Sequence, residues 1–189
     1  MHDMLKLGFR LFIITVIATF ALALTNMLTA EPIQEQIRIA EDEARKAVLS
    51  NAESFEAVKT SSEEDASGGY PYIMEVYKGI AGNEVTGYTI KVANRGYGGK
   101  LIIIAGVNSD GNIEGVRLIQ HSETPGLGAK AEQPDFMDQF SAKSANGQLV
   151  LKEDISAISG ATITSRAVTN AVNAALDYYR NELSNGGGK

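Results

Sequence analysis

Near its C-terminal end the chain reads Ser159-Gly160-Ala161-Thr162-Ile163-Thr164-Ser165, a run of small and hydroxyl residues. Apolar residues then recur at steps of three and four, the pattern of one buried helix face: Ala167, Val168, Ala171, Val172, Ala175, Leu176 and Tyr179. We therefore predict a helix that begins beside Thr162, with a Ser or Thr as its N-cap. The N-terminus of a helix stabilises a phosphate through its unpaired N–H groups and partial positive charge. The stretch predicts either such a phosphate site or merely a capped helix.

Four strand-like runs precede this stretch, each rich in β-branched and aromatic residues and bounded by turn residues. They cover residues 72–80, 85–93, 101–107 and 113–120. The sequence Asn108-Ser109-Asp110-Gly111 supplies a hairpin turn between the last two runs. Successive strands joined by short turns favour an antiparallel sheet. Together with the helix after Thr162, they predict an α+β fold in which helices pack on an antiparallel sheet.

An uncharged and almost wholly apolar run lies near the N-terminus, at Leu11–Leu28. A helix of that length spans about 27 Å, close to the roughly 30 Å hydrocarbon core of a bilayer. Lys6 and Arg10 precede the run and acidic residues follow it, so the positive-inside rule places the N-terminus in the cytoplasm. A cleavable signal peptide is the alternative, but Leu28-Thr29-Ala30 is a poor cleavage site. We expect a single-pass anchor retained in the cell inner (plasma) membrane.

The chain has 189 residues, of which 44% are hydrophobic, and this suits one modest domain with an appendage. The expected organisation is an N-terminus and transmembrane anchor (1–30), a linker (31–69) made of a helix from Pro32 and a loop at 60–69, an extracytoplasmic domain (70–184) and a disordered tail (185–189). A net charge of −6 argues against nucleic acid as a partner. The absence of cysteine excludes disulfides and thiolate-bound clusters, and two histidines leave little material for a metal site.

Two loops beside predicted strands have the composition of ligand-binding loops. Residues 96–99 read Gly-Tyr-Gly-Gly, and these glycines allow a close approach of the backbone to another group. Tyr97 in this loop either contacts a ligand or packs on the core. Residues 121–128 read His-Ser-Glu-Thr-Pro-Gly-Leu-Gly, in which Pro-Gly makes a tight turn on its own account. Each loop alone is equally well explained as an ordinary turn.

The two conspicuous motifs resemble those of one known family. Ser-Gly-Ala-Thr at residues 159–162 resembles the flavinylation motif of the FMN-binding domain family, and residues 123–128 resemble that family's Glu-Thr-Pro-Gly-Leu-Gly element. In that family the Thr at the position of Thr162 carries FMN through a phosphoester bond. The usual motif has Asp three residues before its Ser-Gly pair, where this chain has Ser156.

The resemblance also implies which other side chains contact the flavin. Glu123 and Thr124 would offer polar contacts, Leu127 an apolar face and Gly128 an amide, while Lys130 is a candidate for compensating negative charge. The remaining contacts would come from the neighbours of the attachment residue and from the glycine loop: Ser159, Gly160, Ala161, Thr164 and Tyr97.

Together with the N-terminal anchor, the motifs resemble the G subunits of Rnf complexes, which are ferredoxin:NAD oxidoreductases that pump ions. The C subunits of Na⁺-translocating NADH:quinone reductases are close relatives of these. The resemblance implies an electron carrier that works with the other membrane subunits of the complex. A flavin transferase would supply its covalent FMN from FAD, with Mg²⁺.

No pair of residues in the sequence resembles a catalytic acid and base or an activated nucleophile, so we expect no turnover of a soluble substrate by this chain alone. Two other functions are compatible with the sequence. One is a stand-alone extracytoplasmic flavoprotein that delivers electrons to a different acceptor. The other is a binding or scaffold module without flavin, in which residues 159–165 only cap a helix. The sequence does not distinguish Na⁺ from H⁺ as the coupled ion.

Overall fold

The computed structural model describes residues 2–60, 69 and 71–184. Most of the loop expected at 60–69 and the tail expected at 185–189 therefore lie outside the described residues. The chain divides into two compact units, residues 1–41 and 42–189. The first unit belongs to one long helix, and the second contains the sheet, the other helices and the candidate site.

Helix α1 runs from His2 to Val48 and contains 47 residues. By length and composition it is able to cross a membrane, and the large apolar side chains of its N-terminal half are exposed. Two of its hydroxyls are satisfied within the helix: Thr15 and Thr25 each donate to the carbonyl four residues earlier at 2.9 Å. A separate helix was expected to begin at Pro32, but Pro32 lies inside α1. A proline removes one main-chain hydrogen bond from a helix interior, and this helix continues past the gap.

Five antiparallel strands form one sheet in the order β1-β2-β3-β4-β5. The strands are β1 (Ser54–Thr60), β2 (Tyr72–Ala81), β3 (Glu84–Arg95), β4 (Lys100–Asn108) and β5 (Ile113–Gln120). The four predicted strands are β2 to β5, with ends close to the predicted ones. The α+β class with an antiparallel sheet is therefore confirmed.

Strand β1 is absent from the sequence prediction, which gives this part of the chain to the linker. It is an edge strand paired only with β2, and the side chains of Glu56, Ala57 and Val58 are exposed. A strand with few buried side chains shows no clear alternation of apolar and polar residues, which is the signal that reveals the other four strands. The sheet therefore includes residues that the sequence pattern assigns to the linker.

Helix α3 (Thr162–Tyr178) covers one face of the sheet. Its predicted apolar face is buried, since Val168, Val172 and Leu176 have no exposed surface and pack with residues of β3 and β4. A polar contact adds direction to this packing: the buried Asn94 at the end of β3 donates its amide to the carbonyl of Ala167 at 2.7 Å. This bond fixes the first half of α3 beside the end of β3.

A short helical segment completes this side of the core. Helix α2 (Pro134–Met137) leads into a 3₁₀ turn at Asp138–Phe140, and Phe136, Met137 and Phe140 are buried. The rings of Phe136 and Phe140 meet edge to face, with 5.6 Å between their centroids. These side chains join the same hydrophobic cluster as α3.

The last turns of α1 pack on the opposite face of the sheet. Ala44 and Val48 form a small buried cluster with Ile104 of β4. Beside it, the buried Arg45 contacts Glu75 of β2 at 2.8 Å and stacks over the Tyr77 ring, 4.1 Å from its centroid. The sheet is therefore covered by helix on both faces within the second unit, by α3 on one side and by the end of α1 on the other.

Glycine is required where α1 meets β4. A Cβ at Gly106 would collide with the carbonyl oxygen of Val48, which is a backbone atom and is unable to rotate away. We predict that Gly106→Ala lowers the free energy of unfolding by about 1–3 kcal/mol, the usual cost of overpacking. Urea unfolding of the full chain in detergent measures this. The control is Gly147→Ala, because a Cβ there has no heavy atom within 4 Å. Equal stability of the two variants would contradict the close contact.

Candidate functional site

A cavity of about 430 Å³ lies where the N-terminus of α3 meets the two loops singled out in the sequence. This volume is within the usual range for small-molecule sites, roughly 300–1,000 Å³. The cavity is lined by Tyr97, Glu123, Thr124, Leu127, Gly128, Gly160, Ala161, Thr162, Ile163 and Thr164. Of the candidate residues from the sequence, all but Ser159 and Lys130 lie there, and Ile163 is an addition.

The approach to α3 is a tight turn that ends in an unusual helix start. Gly160 has a φ of +79°, a conformation that glycine adopts without strain, and the N–H of Ala161 donates to the carbonyl of Ile158 at 3.0 Å. Ser159 occupies this turn and is exposed, which explains why it does not line the cavity.

No Ser or Thr caps α3, contrary to the sequence prediction. Ala161 is the N-cap residue, and no side chain makes a capping hydrogen bond. The hydroxyl of Ser165 instead accepts from the N–H of Ile158 and donates to the carbonyl of Ala161, both at 3.0 Å. The first-turn N–H groups of α3 thus have no side-chain acceptor within the described residues. An uncapped helix start beside a cavity favours the binding of an anion.

Thr162 and Thr164 share the first turn of α3 but differ in access. Thr164 is 1% exposed, and its hydroxyl donates to Glu123 Oε2 at 2.6 Å. Thr162 is half-buried and lines the cavity. In the part of the chain that the structure describes, its hydroxyl has no hydrogen-bond partner. Of the two hydroxyls, that of Thr162 is therefore the one free to react with a ligand.

Glu123 is enclosed by backbone. Its carboxylate is buried, and the N–H of Gly98 donates to Oε1 at 3.2 Å. A Cβ at Gly128 would lie 2.5 Å from Glu123 Oε2, and a Cβ at Gly96 would collide with Oε1. The close backbone approach predicted for the glycine loop is therefore present, and the group approached is a side chain of the protein itself.

The rim of the cavity is apolar. Tyr97 is 71% exposed, Leu127 47% and Ile163 54%. The alternative prediction that Tyr97 packs on the core is therefore wrong. The sequence pattern does not predict Ile163 as a cavity residue, because Ile163 lies one turn before the buried Ala167 and the helical period assigns it to the core. The core does not extend to it, and its side chain instead lines the cavity.

Lys130 does not line the cavity. It is exposed and lines a separate pocket of about 240 Å³ together with Ser156 and Gln139. In this pocket the N–H of Ser156 donates to Gln139 Oε1 at 2.7 Å. The structure therefore does not bring Lys130 together with the residues around Thr162.

Comparisons with known proteins assign the chain to a family. The FMN-binding domain family matches residues 96–177, which include both loops and the start of α3, and the RnfG N-terminal region matches residues 1–48. The G subunit of the Na⁺-translocating ferredoxin:NAD⁺ oxidoreductase complex of Acetobacterium woodii is 41% identical over 190 residues. The alignment covers 93% of this chain and 91% of that relative. The chain belongs to the G-subunit family of Rnf complexes.

Other relatives in the G-subunit family agree. The G subunit of the ion-translocating oxidoreductase complex of Methanosarcina acetivorans is 37% identical, and the alignment covers 88% of this chain and 92% of that relative. The G subunit of the proton-translocating ferredoxin:NAD⁺ oxidoreductase complex of Clostridium ljungdahlii is 32% identical, with coverages of 76% and 74%. Because the names of these relatives include both Na⁺ and proton translocation, family membership does not fix the coupled ion.

The fold also matches a solved structure, the C subunit of the Na⁺-translocating NADH-quinone reductase of Parabacteroides distasonis. The TM-score is 0.53 at 25% identity, over 64% of this chain and 66% of that one. The resemblance expected from the sequence, to Rnf G subunits and to an FMN-binding domain related to these C subunits, is thus confirmed.

The close contact between the Gly128 backbone and the Glu123 carboxylate is testable by substitution. We predict that Gly128→Ala lowers the free energy of unfolding by about 1–3 kcal/mol, because the added Cβ would displace the carboxylate. In a Glu123→Ala background the same substitution should cost less, since the 2.5 Å contact with the carboxylate is removed and only the 2.9 Å contacts with the Cβ of residue 123 and with Thr164 Oγ1 remain. Denaturant unfolding of the four chains measures both costs. An equal cost in the two backgrounds would contradict the enclosure of Glu123 by Gly128.

Proposed function

We propose that this protein carries FMN as a phosphoester of the Thr162 hydroxyl and passes electrons between redox centres of an Rnf complex. The observation that supports this most is the half-buried Thr162, whose hydroxyl is unbonded among the described residues, at the uncapped start of α3 and in the wall of a cavity large enough for a ligand. Thr164, the other candidate for attachment, is disfavoured because its buried hydroxyl is engaged by Glu123.

The residues of the cavity fit the parts of FMN. The first-turn N–H groups of α3 would hold the phosphate through hydrogen bonds and the helix dipole. The apolar side chains of Tyr97, Leu127 and Ile163 would contact the ring system, and Thr124 would offer a polar group. The isoalloxazine ring supplies the electron-transfer chemistry, while the protein supplies position, access and electrostatic tuning.

Attachment requires a flavin transferase, with FAD as donor and Mg²⁺. In this step a bond forms between the Thr162 oxygen and the flavin-side phosphorus of FAD. The pyrophosphate bond breaks, AMP leaves and the hydroxyl proton is released. Thr162 suits attachment because it lines the cavity. Ser156, which stands at the position of the usual motif Asp, is exposed and lines a separate pocket, so it does not contact the cavity that would hold the flavin.

The N-terminal part of α1 would anchor the protein in the cell membrane beside the other membrane subunits of the complex. Lys6 and Arg10 precede its apolar run, so we place the N-terminus in the cytoplasm and the FMN domain outside. The placement of the flavin outside would put it within reach of redox centres at that surface of the membrane.

Flavin attachment is tested by co-expression of the full chain with a flavin transferase, followed by denaturing electrophoresis. We predict flavin fluorescence on the protein band for the natural chain and none for Thr162→Ala, in which Thr164 is still present. The reason is that, of the two threonines in the first turn of α3, Thr164 is engaged by Glu123 and Thr162 faces the cavity with an unbonded hydroxyl among the described residues.

Fluorescence that survives in Thr162→Ala would refute the attachment residue. No fluorescence in any variant, with a known Rnf G subunit as positive control, would refute the covalent flavin and favour the scaffold function.

Cysteine labelling tests the orientation in the membrane. The natural chain contains no cysteine, so only an introduced cysteine can react. We predict that Asp110→Cys, in the exposed turn between β4 and β5, is labelled in intact spheroplasts by a membrane-impermeant maleimide. Lys6→Cys should react only after the membrane is permeabilised. The reverse pattern would contradict the proposed orientation.

A further inference from the structure

Glu123 is a buried acid without a cationic partner. It is 5% exposed, and no lysine or arginine in residues 4–58 and 71–184 forms an ion pair with it. Burial of a carboxylate costs free energy unless hydrogen bonds or charges compensate it. A neutral side chain of similar size would line the cavity at a lower cost in free energy of desolvation. Packing alone therefore does not explain why this residue is an acid.

The surroundings of Glu123 hold the carboxylate in place and keep it an acceptor. Thr164 donates to one oxygen at 2.6 Å and the N–H of Gly98 donates to the other at 3.2 Å. Both oxygens therefore accept, as those of an ionised carboxylate do. The first turn of α3 adds the partial positive charge of a helix N-terminus. On the sides of Gly96 and Gly128 the carboxylate lies so close to the backbone that a Cβ would collide with it.

We infer that Glu123 lowers the reduction potential of the FMN bound in this cavity, an inference that rests on the proposed function. Reduction adds negative charge to a flavin, and a fixed carboxylate in a wall of low dielectric constant opposes that addition. The Coulomb energy of two charges falls only as the inverse of their distance, and its sign is the same at every distance. The sign of the effect therefore does not depend on how the ring is oriented.

The test measures midpoint potentials of the full chain, loaded with FMN by the transferase and purified in detergent. The flavin spectrum is followed during titration with dithionite and mediator dyes. Glu123→Gln keeps an acceptor for Thr164 and removes the charge, so its potential should lie above that of the natural protein. Glu123→Asp keeps the charge on a shorter side chain, so its potential should stay below that of Glu123→Gln.

Glu84→Gln is the matched control. Glu84 is exposed at the start of β3, eleven residues before Arg95 at the other end of that strand, which leads into the cavity loop. At about 3.3 Å per residue this separation is roughly 36 Å. The same loss of charge should therefore leave the potential at the value of the natural protein.

The outcomes separate this inference from the proposed function. Gel fluorescence is recorded first: its absence from the natural protein refutes the proposed function, and with it the inference. With flavin present, an unchanged or lower potential in Glu123→Gln overturns the inference. A potential in Glu123→Asp as high as that of Glu123→Gln overturns it as well. Glu123→Ala, which also lacks the charge, replaces Glu123→Gln if the latter is not loaded with flavin. A purely structural role would not separate the charged Asp from the neutral Gln.

Discussion

The site depends on one hydrogen bond, from the Thr164 hydroxyl to the Glu123 carboxylate. It joins two segments 41 residues apart and ties the loop after β5 to the first turn of α3. The carboxylate is buried, so the protein needs this donor to offset the desolvation of the acid. The glycines around it follow from the same constraint, because side chains at Gly96 or Gly128 would occupy its space. The cavity beside Thr162 is therefore bounded by a wall that this bond holds in place.

Much of the fold is predictable because it rests on repeated local patterns. The alternation of β2 to β5 and the helical period after Thr162 each involve several buried residues, so single exceptions do not hide them. Strand β1 lacks that redundancy: it lies at the edge of the sheet and exposes Glu56, Ala57 and Val58. The fusion of the predicted anchor and linker helices into α1 was also missed, because Pro32 is a stronger stop signal in sequence than in this structure.

The site is predictable in its residues and less so in its contacts. The motifs located all but one of the cavity residues, yet they did not reveal which polar groups pair. Ser and Thr before a helix are expected to cap it, but here Ser165 turns back to Ala161 and Ile158, and the first turn stays open. Pairing between Thr164 and Glu123 depends on tertiary packing, as does the exposure of Ile163. In our proposal, the open first turn would bind the phosphate, and the pairing of Thr164 leaves Thr162 as the attachment residue. The buried Glu123 supplies the charge near the flavin.

The central claim concerns one covalent bond, and mass spectrometry of the natural chain after co-expression with a flavin transferase tests it most directly. Trypsin cleaves after Lys152 and Arg166, which places both candidate threonines on one peptide, residues 153–166. Our account predicts that this peptide carries the mass of FMN less one water, and that fragmentation locates it on Thr162. An unmodified peptide, or a modification located on Thr164, would contradict the account.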